Sequence, residues 1–248
     1  AETENFANVI VCAYFKGDTE GPEYFAQKTK ELMDLYDGSA TCTFTKYLNH
    51  ISYGELRLKN YFPQYDGKKI VPVELSMTEQ EVLDGKNMDE IILPEVMENL
   101  KSVTGTLDYS EHGLIDNVTV ILRAKDGTAG STNSLVSHHQ TYGGDLRYRD
   151  LKVCDYNMIN TKVIFGASSN DYSAQGCGVL VHEFLHTFGF PDLYTNNGTV
   201  PVSTWDIMGG VMSAPSYPLA YMRMKFGGWL SIDTVTTSQT LTLDTQDK

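Results

Sequence analysis

Apolar residues along this chain follow several rhythms in turn. From residue 8 to residue 15 they run almost unbroken, with Val9-Ile10-Val11-Cys12-Ala13 at the centre, and Lys16-Gly17-Asp18 ends the run. Such a run predicts a buried strand. After Gly21-Pro22 the spacing turns helical: Phe25, Leu32 and Tyr36 share one face, and Asp37-Gly38 supplies the stop. Residues 41–50 and 53–61 are rich in β-branched and aromatic side chains and read as two strands, with Ser52-Tyr53-Gly54 between them. Thr78 and Glu81 have capping-box spacing and open a helical segment reaching about residue 103. Gly85 and Pro94 must interrupt it, so two helices are as good a reading as one. Residues 117–124 form the strongest central-strand pattern. Residues 126–144 are Gly-, Ser-, Thr- and Asn-rich and read as irregular loop. Residues 162–166 predict a short strand, and residues 174–188 and 219–226 predict helices. The tail from Ile232 is Thr-rich and β-like. Strands and helices alternate through most of the chain, so the fold class expected is α/β (α+β), followed by a less regular lobe.

Composition narrows the partners. The chain has 248 residues and is 41% hydrophobic, enough for one sizeable catalytic domain. Lys and Arg number 19 against 32 Asp and Glu, a formal charge of −13. So acidic a surface repels phosphate backbones and anionic membranes, which makes nucleic acid and membrane poor partners. No apolar run reaches the roughly 18 residues of a membrane helix. The start, Ala1-Glu2-Thr3-Glu4, is no signal peptide, and the absence of an initiator Met fits a processed or trimmed chain. Cys12, Cys42, Cys154 and Cys177 form no C-x-x-C pair. They read as free thiols, with disulfides as the alternative.

The informative segment is His182-Glu183-Phe184-Leu185-His186-Thr187-Phe188-Gly189-Phe190-Pro191-Asp192. Residues four apart on a helix differ by only about 40° of rotation and about 6 Å of rise. His182 and His186 can therefore reach one ion, and Glu183, about 100° round, can sit beside a water on that ion as general base. Ser173 is a candidate N-cap for this helix. Gly189 suits a left-handed helix end, after which the chain can return residue 192 to the same ion. The spacing is that of the metzincin pattern, with Asp192 where that pattern has a third His. No Glu follows Glu183 and no His follows His186, so downstream the third ligand must be an Asp. Asp192 has the right spacing, and Asp206 is the alternative. Met208, in Trp205-Asp206-Ile207-Met208-Gly209-Gly210, fits a Met-turn, with Met212 as its competitor. His138-His139 reads as loop or cleft lining. Asp126, Asp145 and Asp150 could hold Ca²⁺ but match no calcium-loop spacing.

Residues 182–194 together with 205–209 resemble the immune inhibitor A family of secreted bacterial metzincins. Lys225-Phe226-Gly227-Gly228-Trp229-Leu230 is similar to that family's Leu-Gly-Trp ending, although the doubled glycine departs from it, and residues 51–56 to its Ser-Tyr-Gly-Lys-Leu segment. The resemblance spans roughly residues 47 to 230. It implies a mixed, twisted sheet backed by a zinc-binding helix, with two lobes around a cleft. The catalytic domain would then cover 1–231, with an upper lobe of about 1–189 and a lower lobe of about 190–231, leaving 232–248 as a tail that can begin a further domain. It implies Zn²⁺ on His182, His186 and Asp192, Glu183 as base, and hydrolysis of peptide bonds in protein or peptide substrates. It also implies secretion and synthesis with an N-terminal pro-segment, and the chain is expected to be a monomer. Some metzincins support the oxyanion with a Tyr past the Met-turn, for which Tyr217 is the nearest match. The expected function is thus a zinc endopeptidase. A binding or adhesion module with a retained zinc site, and a zinc hydrolase of non-peptide amides, are the alternatives.

Overall fold

The computed structural model describes residues 4–40, 42–87, 89–98, 103–125, 135–165, 172–195, 198–210, 215–231, 236–238 and 240. Met212 and most of the expected β-like tail lie outside these residues, and the described tail residues 236–238 and 240 are not in a strand.

Strand β1 (Glu4–Tyr14) is the spine of the sheet. Its even residues Ile10 and Cys12 are buried in one core, and its odd residues Val9, Val11 and Ala13 in another. Burial on both faces is why the run shows no alternation. One edge of β1 pairs in parallel with β2 (Leu56–Tyr61) and, farther along, with β3 (Val73–Glu74). The other edge pairs in parallel with β4 (Val118–Arg123), and β4 in turn with β8 (Asp155–Asn160). An antiparallel strand, β5 (His138–Thr141), closes that side, giving the order β2-β1-β4-β8-β5. A separate hairpin joins β6 (Arg147–Tyr148) and β7 (Leu151–Lys152). The fold is mixed α/β with a mostly parallel central sheet, as the alternation predicts.

Helices α1 (Gly21–Asp37), α2 (Phe44–Ile51) and α6 (Tyr172–His186) pack Phe25, Leu32, Phe44, Leu48, Leu180 and Phe184 into the first core. Helices α3 (Glu79–Leu83) and α4 (Asp89–Glu98) cover the opposite face with Val82, Ile92, Leu93 and Val96. The capping box that opens α3 is complete, and Pro94 lies inside α4.

Four elements differ from the sequence reading. Residues 44–51 are helical, not strand. Phe44, Tyr47, Leu48 and Ile51 are buried at the i, i+3, i+4, i+7 spacing, and Thr43 caps the helix by accepting from Lys46 N–H. Residues 161–164 form a one-turn helix, α5 (Thr161–Ile164), capped by Asn160, and the strand lies just before it as β8. Strand β5 occupies part of the expected loop. Finally, α6 already includes Ser173, so its start precedes the expected cap.

β8 was obscured by its polarity. Asn157 faces inward and belongs to a transverse row of polar side chains on the α6 face of the sheet. His139 Nδ1 meets Asn157 Oδ1 at 2.9 Å, and Asn157 Nδ2 donates to Asn117 Oδ1 at 3.4 Å. Asn117 Nδ2 donates to Asn8 Oδ1 at 2.9 Å, and Asn8 Nδ2 to Asn60 Oδ1 at 3.3 Å. Asn60 then donates to Asp37 and Thr45 at the far edge. Asn8, Asn117 and Asn157 are at most 1% exposed. Buried amides persist only when paired, and this row pairs each with the next.

Candidate metal centre

His182 and His186 stand one turn apart on α6, with ring centroids 5.0 Å apart and planes perpendicular. Each ring is set by its Nδ1. That of His182 lies 3.0 Å from the Ile207 carbonyl, and that of His186 lies 2.6 Å from the Phe190 carbonyl. A carbonyl can only accept, so each Nδ1 carries hydrogen and donates it. Both Nε2 atoms then meet Asp192 Oδ1, at 3.1 Å from His182 and 3.4 Å from His186.

Asp192 is delivered by the turn after the helix. Gly189 takes the left-handed conformation at φ 81°, and its N–H donates to the His186 carbonyl at 2.8 Å. Phe190 N–H reaches back to the Leu185 carbonyl, so the helix ends and the chain reverses within a few residues. The same turn places the Phe190 carbonyl on His186 and the Asp192 carboxylate on both rings.

The charges are strongly coupled. Burial works to raise the Asp192 pKa, but hydrogen bonds from His182 and His186 outweigh it and hold the carboxyl well below its usual range. Burial pulls His182 down, yet the bond to Asp192, the charge of Glu183 and the Ile207 carbonyl together raise it above 6.5. Glu183 is only 8% exposed. Burial raises its pKa, partly offset by His182, His186 and His138. A carboxyl so raised is closer to proton balance near neutral pH than an ordinary Glu.

The expected residues fall into place unevenly. His182, His186 and Asp192 come together. Asp206 does not join them. It is fully buried, and its two oxygens accept from Met208 N–H at 2.8 Å and Leu219 N–H at 2.7 Å. It is a turn carboxylate whose turn also presents the Ile207 carbonyl to His182. Met208 is buried in that turn, and its carbonyl accepts from Leu193 N–H at 2.8 Å. Tyr217 packs its ring on Tyr47 and His50 of α2. Tyr194 is the tyrosine beside the site: its ring stacks on His182 at 6.3 Å, and burial and the Asp192 charge push its phenol up. Its place two residues past the third candidate ligand was the available signal. The histidine pair lies on β5, not in a loop. The His139 ring is 5.8 Å from that of His186, and its Nε2 is 3.4 Å from Asp155 Oδ1. Only the sheet register, invisible in the sequence, brings it there.

The doubled glycine is needed locally. Gly228 is left-handed at φ 67°, and a Cβ on Gly227 would lie 2.5 Å from the Trp229 ring. Trp229 in turn packs on Phe188 and Phe190 at the end of α6.

The donor set fits zinc. Ligands at 2.0–2.1 Å from a tetrahedral ion lie about 3.3 Å apart. The two nitrogen–oxygen separations, 3.1 and 3.4 Å, bracket that length. All three ligand atoms lie within 4.8 Å of one another. Three protein ligands leave a tetrahedral position for water or substrate. Among the described residues no other group of three or more His, Cys, Asp or Glu converges in this way. Asp145 is instead paired with Arg147 at 3.0 Å, Asp126 lies outside the described residues, and among the described residues no carboxylate cluster supports a calcium site. No helix of the described residues is long and apolar enough to cross a membrane.

No family model matches the sequence, and no curated protein matches it. Among solved structures it is similar to archaemetzincin from Methanopyrus kandleri, at 12% identity, with 88% of this chain and 93% of that chain covered and a TM-score of 0.37. A likeness that distant carries no argument about this chain.

Proposed function

We propose that this protein is a zinc-dependent endopeptidase that holds its ion with His182, His186 and Asp192 and uses Glu183 as general base. The observation that carries the reading is the convergence of both Nε2 atoms on one Asp192 oxygen at the spacing of a tetrahedral site, with both Nδ1 atoms committed to carbonyls. The H-E-x-x-H-x-x-G-x-x-D sequence and the resemblance of residues 182–194 to the immune inhibitor A family support peptide bonds of secreted-enzyme substrates as the target, and Met208 as the Met-turn methionine.

A bound zinc ion supplies Lewis acidity and a water of lowered pKa. Glu183 takes the proton of the attacking water and passes it to the leaving amine, a role suited to its buried, raised carboxyl. Tyr194, whose ring stacks on His182, is the tyrosine assigned to support a developing oxyanion.

The test is zinc binding against a competing dye, with casein cleavage before and after a chelator. Cleavage lost to chelator and restored by zinc is expected. Glu183→Ala should keep zinc and lose about 10²–10⁴-fold in turnover, the usual range for a general base. Tyr194→Phe should lower kcat and leave zinc affinity intact. Chelator-resistant cleavage, or a Glu183→Ala variant as active as the parent, refutes the assignment. Tight zinc without hydrolysis of any amide favours a binding module instead.

A further inference from the structure

We infer that Cys42 and Cys177 are a disulfide-forming pair that ties the segment ahead of α2 to the helix carrying His182 and His186. Their Sγ atoms lie 3.3 Å apart, although 135 positions separate them in the chain. A disulfide bond is about 2.0 Å long, so closure needs a movement of only about 1.3 Å. Cys42 directly precedes Thr43, the cap of α2, and Cys177 lies in α6 upstream of His182. The inference does not depend on the proposed function, because neither thiol belongs to the metal centre.

The two sulfurs are suited to different steps. Cys42 is exposed and Cys177 is 3% exposed. The hydrogen bond from Cys177 lowers the Cys42 thiol to about 7, and the same bond together with burial pushes Cys177 up. Cys42 is therefore the attacking thiolate and Cys177 the resolving thiol. The oxidant is a low-molecular-weight disulfide such as oxidised glutathione. Cys42 sulfur attacks one of its sulfurs, the oxidant's S–S bond breaks, and one glutathione thiolate leaves with the electron pair. Cys177 sulfur then attacks Cys42 sulfur in the mixed disulfide and releases the second glutathione. The two protein protons end on the released thiols, so two cysteines are oxidised and one disulfide is reduced. Among the described residues, Cys12, buried on β1, and Cys154, between β7 and β8, have no sulfur partner, and they remain thiols.

The experiment incubates the intact protein with oxidised glutathione, blocks free thiols with an alkylating agent after denaturation, and maps peptides by mass spectrometry without reduction. A Cys42–Cys177 linked peptide is expected, with alkylation only at Cys12 and Cys154. The Tm should rise by about 10 °C over the reduced protein, because the bridge closes a long loop. Cys42→Ser should abolish that gain, and since Cys42 is exposed this variant keeps the test valid if Cys177→Ser folds poorly. Four alkylated cysteines, glutathione retained on Cys42, or a different linked pair would overturn the inference. A linked pair without a thermal gain would overturn its role as a tie.

Discussion

Replacing Asn117 by Ala tests whether the polar row beneath α6 is structural. The Asn117 side chain uses all four of its hydrogen-bonding positions. Its oxygen accepts from Asn157 Nδ2 at 3.4 Å and from Thr187 Oγ1 at 3.3 Å, and its nitrogen donates to Asn8 Oδ1 at 2.9 Å and Thr119 Oγ1 at 3.2 Å. Truncation does not affect these partners equally. Asn8 Oδ1 keeps the Thr119 hydroxyl at 2.9 Å, and Thr187, half-buried, can turn to water. Asn157 is 1% exposed, so the Nδ2 hydrogen that faced Asn117 loses its partner inside the sheet. One such orphan costs about 1–3 kcal/mol, and the lost side-chain volume adds to it, so a loss of about 2–4 kcal/mol is expected. Urea unfolding of the metal-free protein measures it, as a lower midpoint at unchanged slope. Asn157→Ala together with Asn117→Ala removes the orphan along with its cause. The double variant should therefore lose less than the sum of the two single losses, by about 0.5 kcal/mol or more. A single loss under about 1 kcal/mol, or strictly additive losses, would refute the view that these amides act as one network.

Two further predictions concern the metal. In the metal-free protein His182 is held above its ordinary 6.5, so its pair with Asp192 stabilises that form fully below 6.5 and is lost as pH rises through the raised value. Zinc needs the neutral ring, so the thermal gain on adding zinc should grow between ~pH 6 and ~pH 8, and a gain independent of pH there would sink the pairing. Asp206→Ala strips the acceptor from the buried N–H of Met208 and from the part-buried N–H of Leu219, and should cost about 1–4 kcal/mol in urea unfolding. Because that turn carries the Ile207 carbonyl, zinc affinity should fall about 10–100-fold by dye competition, and an affinity within about twofold of the parent would show that the turn does not orient His182.

The convergence of His182, His186 and Asp192 was the most legible part of the sequence because its logic is local. His182 and His186 are related by helix periodicity, and Gly189 marks the reversal that returns Asp192. The same local logic gave both ends of α1 and the Thr78–Glu81 capping box. What sequence reasoning missed depends on contacts between distant segments. β5 lies in a stretch that reads as loop, and β8 carries no strand pattern, because His139 and Asn157 are polar and their polarity is satisfied only across the sheet. α2 was misread because its aromatic and β-branched residues favour strands, while the spacing of Phe44, Tyr47, Leu48 and Ile51 is helical. Asp206 matched the chemistry of a ligand, and only its two backbone donors reveal it as a turn carboxylate. Cys42 and Cys177 carried no sequence signal at all, since nothing in their spacing brings them together.

The two candidate ligand histidines are oriented by carbonyls from different places, and this determines what the proposed site requires of the fold. The Phe190 carbonyl that fixes His186 comes from the turn directly after α6 and needs little beyond Gly189. The Ile207 carbonyl that fixes His182 comes from a later segment, held by Asp206 and by the bond from Leu193 N–H to the Met208 carbonyl. That last bond ties the Asp192 neighbourhood to the Asp206 turn, so the candidate third ligand and the orienter of His182 are braced against each other. Behind them, Thr187 bonds to Asn117 and His139 to Asn157, so the end of α6 and the strand beside it rest on one polar row. An apolar sheet surface could have buried the helix equally well but would give neither Thr187 nor His139 a directional partner.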